Sequence, residues 1–546
     1  MLDGAKCNID RQNRMTDLSL MKKKSYSKIL VGILSVSILL LVLVSIFIEP
    51  WVKKKIESVL SELNIGYIVT IEEVNVSILK SRVEIKSIDI ISNQKVGNSS
   101  DINAHISTIS FEGISLRKLI FNEELDVDEL DVSESKIQGK ILLSSGKKIA
   151  VISPANIRID LIRLNKIDLA IEHISTAQNY AVNEGSVQIY ALQLYENDTL
   201  SFKAIEKSDF KAREIQSTSA DSLYTFKIST ISFLDSSNTL AIDSLFILPN
   251  YDDYDFTSRH AFETDRIQIS FGNIKFHDAD IAAYLRSNAL LSSYVEIGKM
   301  DMNIFRDKRK TLEHKKKIEF QEVLYHFPGM IHIDSVGITT GNIVYREHAE
   351  KANEPGKISF NKVTAQLYNI SNEQIYETKT EFMTLKSQAL LMGKGKIAVH
   401  ISAKIFDPLN TFSVQGTLSA MEGKELNPLL EKNAFLHVTS GKIEHMVFNF
   451  TATSKESKGD LVILYHGLDI SVKNKRVDQK SSLVEKVISL FANRKILDSN
   501  PLPRKEVRTG EIYFKRDPER FFFSYCSKSI LSGLKTSIVK SSAKNK

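Results

Sequence analysis

Beyond residue 68 the apolar residues of this chain come in a repeated pattern. Two apolar positions alternate, two polar or small residues intervene, and two more apolar positions alternate. Val69, Ile71, Val74, Val76 is the first case and Val83, Ile85, Ile88, Ile90 the second. The pattern returns at Leu125, Val127, Leu130, Val132 and at Ile162, Leu164, Ile167, Leu169. It continues at Phe226, Ile228, Ile231, Phe233, at Leu240, Ile242, Leu245, Ile247, and at Ile269, Phe271, Ile274, Phe276. Val295, Ile297, Met300, Met302, then Ile331, Ile333, Val336, Ile338, then Ile358, Phe360, Val363, Ala365 complete the series.

Alternation marks half-buried strands. In an unbroken strand the second pair would point to the opposite face; one extra residue, as in a β-bulge, keeps both pairs on one face and bends the strand. The predicted fold is therefore mostly β: an elongated, curved, antiparallel, groove-like sheet with one apolar side and a few short helices. Val69, Ile71, Val83, Ile85, Phe226, Ile228, Ile331 and Ile333 are the candidate residues lining that side. A sheet with one apolar side must cover it or offer it to something apolar.

Helices are predicted at Val52–Leu63, Ala279–Leu291, Leu426–Lys432 and Leu483–Phe491. A weaker long repeat joins Glu172-His173 with Ala191–Tyr195 and Glu347-His348 with Ala365–Tyr368. Duplication and coincidence both explain it. Gly393-Lys394-Gly395 precedes a strand and reads as a turn.

The run from Ile29 to Ile48 carries no charge, and about 20 helical residues span about 30 Å, the thickness of a bilayer core. It is long for a signal peptide and lacks a small-residue cleavage site. Lys22, Lys23 and Lys24 precede it and Trp51 follows it, as basic and interfacial residues flank an anchor. The expectation is one uncleaved transmembrane helix with a cytoplasmic N-terminus. Domain by domain, residues 1–28 form the cytoplasmic segment and 29–50 the helix. Residues 51–310 and 311–480 form two β-rich halves, with a C-terminal helix, strands and basic tail in 481–546.

The net charge of +6 is mild and spread out, which gives no case for nucleic acid. Two cysteines, Cys7 and Cys526, stand at opposite ends and form no disulfide framework. No nucleophile elbow, phosphate-binding loop or paired-histidine metal motif occurs. His326 and His332 are six residues apart across Pro328-Gly329, which is not ligand spacing; His437 and His445 read as strand-surface residues. No enzyme, cofactor or metal is expected. The aromatic cluster Phe521, Phe522, Phe523 and Tyr525, with the apolar and lysine-rich residues after it, fits either a basic amphipathic helix or a last strand with a frayed tail.

These residues resemble a family. An anchor ending in proline, a helix, then Val69–Ile78 and Val83–Ile90 are similar to the opening of AsmA-like envelope proteins, and Ile106–Phe111, Leu116–Leu119 and Leu125–Val132 continue the likeness. Ile331–Val336, Gly341–Tyr345, Phe406–Asn410, Gly441–Ile443 and Gly459–Tyr465 resemble related periplasmic repeats. The resemblance implies a protein of the bacterial inner membrane with its bulk in the periplasm. It implies a β-groove that binds or conducts phospholipid between membranes and supports outer-membrane integrity. Its partners would be membrane lipid and other envelope proteins. The family has no catalytic signature to transfer. Two rival readings stand beside it: a structural or assembly factor for outer-membrane biogenesis, and an enzyme with an unrecognised site.

Overall fold

The computed structural model describes residues 67–77, 80–92, 101–115, 124–141, 156–174, 178–195, 207–373, 382–472 and 496–539, with positions 50, 54 and 118. The transmembrane expectation and the helices at Val52–Leu63 and Leu483–Phe491 lie outside these residues. Among the described residues no helix is long and apolar enough to cross a membrane. The chain is mostly β, in long, mostly antiparallel sheet with few and short helices. It divides into two compact units: Met1–Asp168 with Gln188–Leu200, and Leu169–Val187 with Ser201–Lys546. The division runs through β5 (Asn156–His173) and β6 (Gln178–Tyr195).

In the first unit β1 (Tyr67–Ser77), β2 (Arg82–Ser92), β3 (Asp101–Glu112) and β4 (Glu124–Ile141) pair in sequence order, all antiparallel. The intervening polar residues do what the pattern requires, by a different device from the one expected. Ile71 faces Ile88 and Glu73 faces Lys86, so the register is the same on both sides of the interruption. The same holds for Ile106 with Ser135 and Thr108 with Ser133. No residue is inserted. Instead Ser87 (φ 51°) and Glu134 (φ 56°) enter the left-handed region. The kink breaks alternation in place, so Val69, Ile71, Val74 and Val76 pack in one cluster with Val83, Ile85, Ile88 and Ile90.

The second unit repeats the device. β7 (Lys207–Thr218), β8 (Tyr224–Leu234), β9 (Thr239–Pro249), β10 (Asp265–His277) and β11 (Ala289–Asp307) pair antiparallel in turn. Glu214 (φ 48°) and Asn273 (φ 53°) carry the kinks of β7 and β10. Gly298 of β11 stands opposite Asn273, and a Cβ there would come within 3.0 Å of the asparagine Cβ. Glycine at 298 is thus a packing requirement of the kink.

β12 (Met330–His348) runs parallel to β11 over its whole length. An all-antiparallel sheet is thereby corrected. Parallel neighbours cannot be joined by a hairpin; they need a crossover of about a dozen residues or more. Residues 308–329 supply it, with α3 below as its helix. β13 (Gly356–Ser371), β14 (Met383–Leu391), β15 (Gly395–Ala403) and β16 (Phe412–Leu418) then resume antiparallel order. Here a true bulge occurs: β13 gains one residue on β14 between Asn361 and Thr364, in the last of the predicted units. Residues 392–394 form the predicted turn, with Met392 and Gly393 at positive φ. β16 pairs with β18 (Leu436–Ala452) past the short β17 (Met421–Glu422), and β19 (Glu456–Val472) and β20 (Thr509–Lys515) follow.

Five α-helices occur among the described residues: α1 (Asp253–Ser258), α2 (Ile281–Ser287), α3 (Phe320–Tyr325), α4 (Asn427–Asn433) and α5 (Phe522–Ile538). α2 is shorter than expected because Asn288 (φ 55°) ends it and β11 starts at once. α5 decides between the two readings of the tail: it is a helix, and it docks on the sheet. Tyr525, Ser529, Gly533 and Ser537 recur every fourth residue and are buried, which puts one stripe of the helix on the strands. The fit is close: a Cβ on Gly510 would meet the Gly533 carbonyl at 2.1 Å, and one on Gly533 would meet Ile512 Cγ1 at 2.6 Å. Beneath lies the main core, with Phe412, Val414, Phe448, Phe450, Leu461 and Ile512 buried.

Candidate functional site

Strands β8 to β13 carry an apolar floor in the second unit. Ile242, Ile274, Val295, Ile331, Ile333 and Ile370 are buried in it, and Ile228, Ile231, Leu245, Phe271, Ile297 and Val336 are among the half-buried residues around them. β10 contributes from both sides of its kink at Asn273, with Phe271 before it and Ile274 and Phe276 after it, so that kink keeps one apolar surface instead of splitting it. Every member of this cluster lies on a strand except Leu324, from α3. The contrast with the core under α5 is direct. There, Phe522, Cys526, Ile530, Leu534 and Ile538 of the helix pack over the strands.

α3 stands where floor and covered core meet. Leu324 touches the floor cluster. Phe320 packs edge-on against Phe412 (5.9 Å) and Phe522 (4.7 Å) of the core. The crossover is held by ion pairs. Arg516 donates to both carboxylate oxygens of Glu319 at 3.1 and 3.2 Å, with both side chains at most 5 % exposed. Arg520 pairs with Glu263, and the Lys317 amide donates to the Pro518 carbonyl at 2.8 Å. Near the strand ends Arg306 pairs with Asp265, and Tyr345 donates to Glu347 at 2.8 Å; burial first, then the Glu347 charge, holds the Tyr345 phenol far above its ordinary value.

Beyond α3 the floor ends in a cavity of about 880 Å³. Ile333 and Ile370, its walls on one side, belong to the floor; Phe412, on the other, belongs to the covered core. Phe382, Ile405, Phe406 and Pro408 add apolar surface. Charged groups gather as well. His332 lies between Asp334 (3.2 Å) and Glu373 (3.8 Å). The Lys404 ammonium sits 5.3 Å from the Phe382 ring centroid. Asp407 accepts from the amides of Leu409 (3.1 Å) and Thr411 (2.9 Å), and hydrogen bonding, from Thr411 first, holds its carboxyl below the usual range. Ser371 Oγ accepts the Glu373 amide at 3.1 Å.

The candidate lining residues separate into three groups. Ile228, Ile331 and Ile333 belong to the floor. Val69, Ile71, Val83 and Ile85 belong to the first unit's own cluster. Phe226 is 37 % exposed, outside either cluster, against the ring of Tyr224 at 6.5 Å. The anchor residues Lys22, Lys23, Lys24, Ile29, Ile48 and Trp51 lie outside the described residues. The cavity was not legible as a site: its walls come from segments up to about a hundred residues apart, none with a motif. Among the described residues no group of three or more metal-ligating side chains occurs. No family model matches the chain, and no curated protein matches it.

Proposed function

We propose that this chain is a membrane-anchored envelope protein that binds phospholipid on its apolar floor and conducts it passively between membranes, in support of outer-membrane integrity. One observation carries the reading: β8 to β13 form a hydrophobic cluster in which, among the described residues, Leu324 is the one member from outside the strands. An apolar surface of this extent is an interaction site or a liability. The apolar run at Ile29–Ile48 would place it beside a supply of lipid, on the periplasmic face if the flanking lysines set the orientation. The AsmA-like resemblance points the same way. No cofactor or energy source is part of this reading.

The test is extraction of the full chain from membranes in a lipid-preserving polymer, followed by mass spectrometry of what stays bound after stringent washing. Stoichiometric phospholipid is expected, and its loss in Ile228→Asp. Protein that is equally lipid-free with and without the substitution would refute the reading. The structural or assembly role is favoured by the C-terminal region, where α5 and the buried Arg516–Glu319 pair make a closed body suited to holding a partner.

A further inference from the structure

We propose that the cavity at the end of the floor seats one amphiphile at a time and selects a zwitterionic headgroup, with its cationic part toward Asp334 and Glu373 and its anionic part toward Lys404. The inference rests on the lipid reading above and adds a ligand class to it. Three observations converge. The cavity shares Ile333 and Ile370 with the floor, so a hydrocarbon chain lying on the floor reaches it without leaving apolar surface. Its volume of about 880 Å³ falls within the range of sites for single small ligands, about 300–1,000 Å³. At α3 and Phe412 the covered core begins, and an apolar chain has no further surface to follow.

The lining charges then discriminate among headgroups. A purely anionic head meets Asp334, Glu373 and Asp407. A purely cationic head meets Lys404. A head with both charges satisfies both sets. The three carboxylates are not equivalent. Asp407 is committed to two backbone amides of its own loop, while Asp334 and Glu373 flank His332 from either side. Lys404 forms no direct salt bridge among the described residues, though its charge acts on Asp407, and its ammonium lies by the aromatic ring of Phe382. An ammonium so placed keeps its donors available to an incoming phosphate oxygen. Ser371, Ser402 and Thr411 supply hydroxyls to the same rim.

The experiment uses the full chain in vesicles, with a benzophenone amino acid replacing Phe382 at the cavity or, separately, Ile228 on the floor. Three clickable single-chain probes are compared: a lysophosphatidylethanolamine (zwitterionic), a lysophosphatidylglycerol (anionic) and a monoacylglycerol (neutral). At position 382 the zwitterionic probe is expected to label about fivefold more than either other probe. At position 228 the three are expected to label alike. Lys404→Glu and Glu373→Gln should each cut zwitterionic labelling at 382 about fivefold while leaving labelling at 228 unchanged, which also reports that the fold survives. Equal labelling by all three probes at 382, or labelling there that ignores both substitutions, overturns the headgroup assignment. Labelling at 228 with none at 382 overturns the seat and spares the lipid reading. Labelling at neither overturns both.

Discussion

Single residues set the geometry of the sheet. Ser87 and Asn273 sit in the left-handed region between the apolar pairs of their strands, Glu134 and Glu214 adopt it on β4 and β7, and none is β-branched. For an L-residue that conformation costs roughly 1–2 kcal/mol, with asparagine and glycine penalised least. Asn273→Gly should therefore change stability by less than about 0.5 kcal/mol, whereas Asn273→Val should cost about 1–3 kcal/mol, since a branched Cβ is strained at this positive φ. Urea unfolding of both variants checks this; equal stabilities would show that the kink is not conformationally demanding. The sequence announced that alternation breaks between the pairs, because two polar residues in a row do so visibly. It did not announce how, because an inserted residue and a left-handed residue leave the same pattern of apolar side chains. Register shifts occur where β13 meets β14 and where β18 meets β19.

Cys526 carries a second prediction at this scale. Burial pushes its thiol up to about 12, from an ordinary 9.0. In the folded chain it stays protonated, and the thiolate is the reactive form. The sign follows: the unfolded thiol ionises from about pH 9 while the folded one does not. This group's contribution to stability is whole below pH 9 and is lost progressively as pH rises toward 12. In a Cys7→Ser background, labelling by a disulfide reagent at pH 8 should proceed at the rate of unfolding. Labelling as fast as a free peptide thiol would mean that α5 does not cover it.

Elements meet through two devices that the sequence hid. The first is the small-residue stripe of α5. Gly533→Ala introduces a Cβ at 2.6 Å from Ile512 Cγ1 and 2.9 Å from Leu461 Cβ, so the helix must lift. Overpacking of this kind costs about 1–3 kcal/mol, and the same Cys526 labelling should accelerate. An unchanged rate would show that the helix is already loose. The aromatic and lysine residues of 521–546 marked the segment as amphipathic, yet its most deeply buried stripe, Ser529, Gly533 and Ser537 beyond Tyr525, has no hydrophobic signature of its own. The second device is the crossover. Its lysine-rich start, 308–317, reads as a polar loop, so nothing in it signals that β12 returns parallel to β11. Its lock is the Glu319–Arg516 pair, formed by residues 197 apart. Arg516→Ala leaves a buried carboxylate unpaired and should cost about 3–5 kcal/mol, while Glu319→Leu with Arg516→Met should recover most of that loss. Calorimetry on the single and double variants separates the two; a double variant no better than the single one would assign the cost to packing around Arg516 instead of to the stranded charge.

At the scale of the molecule the question is which apolar surface is core and which is floor, and burial alone does not answer it. Ile333 is 7 % exposed, nearly as enclosed as the core residues under α5, because neighbouring strands crowd it. A charge at Ile333 therefore destabilises in either case and does not discriminate. Ile228 does: it is a half-buried residue of β8 packed against the floor cluster. Phe448 is the matched control, 1 % exposed in the covered core. Phe448→Asp buries an uncompensated carboxylate and opens a cavity, and it should abolish cooperative folding. Ile228→Asp should retain the wild-type far-ultraviolet spectrum and a cooperative transition lowered by about 1–2 kcal/mol, and lose bound lipid. If instead both variants unfold alike, the floor is a second closed core, and the envelope role passes to the structural reading. The difference is one of cover. Where a helix lies on the strands, apolar surface is the source of stability. Where Leu324 is the one non-strand member of the cluster among the described residues, the same kind of surface is, on the proposed reading, left for a ligand to fill.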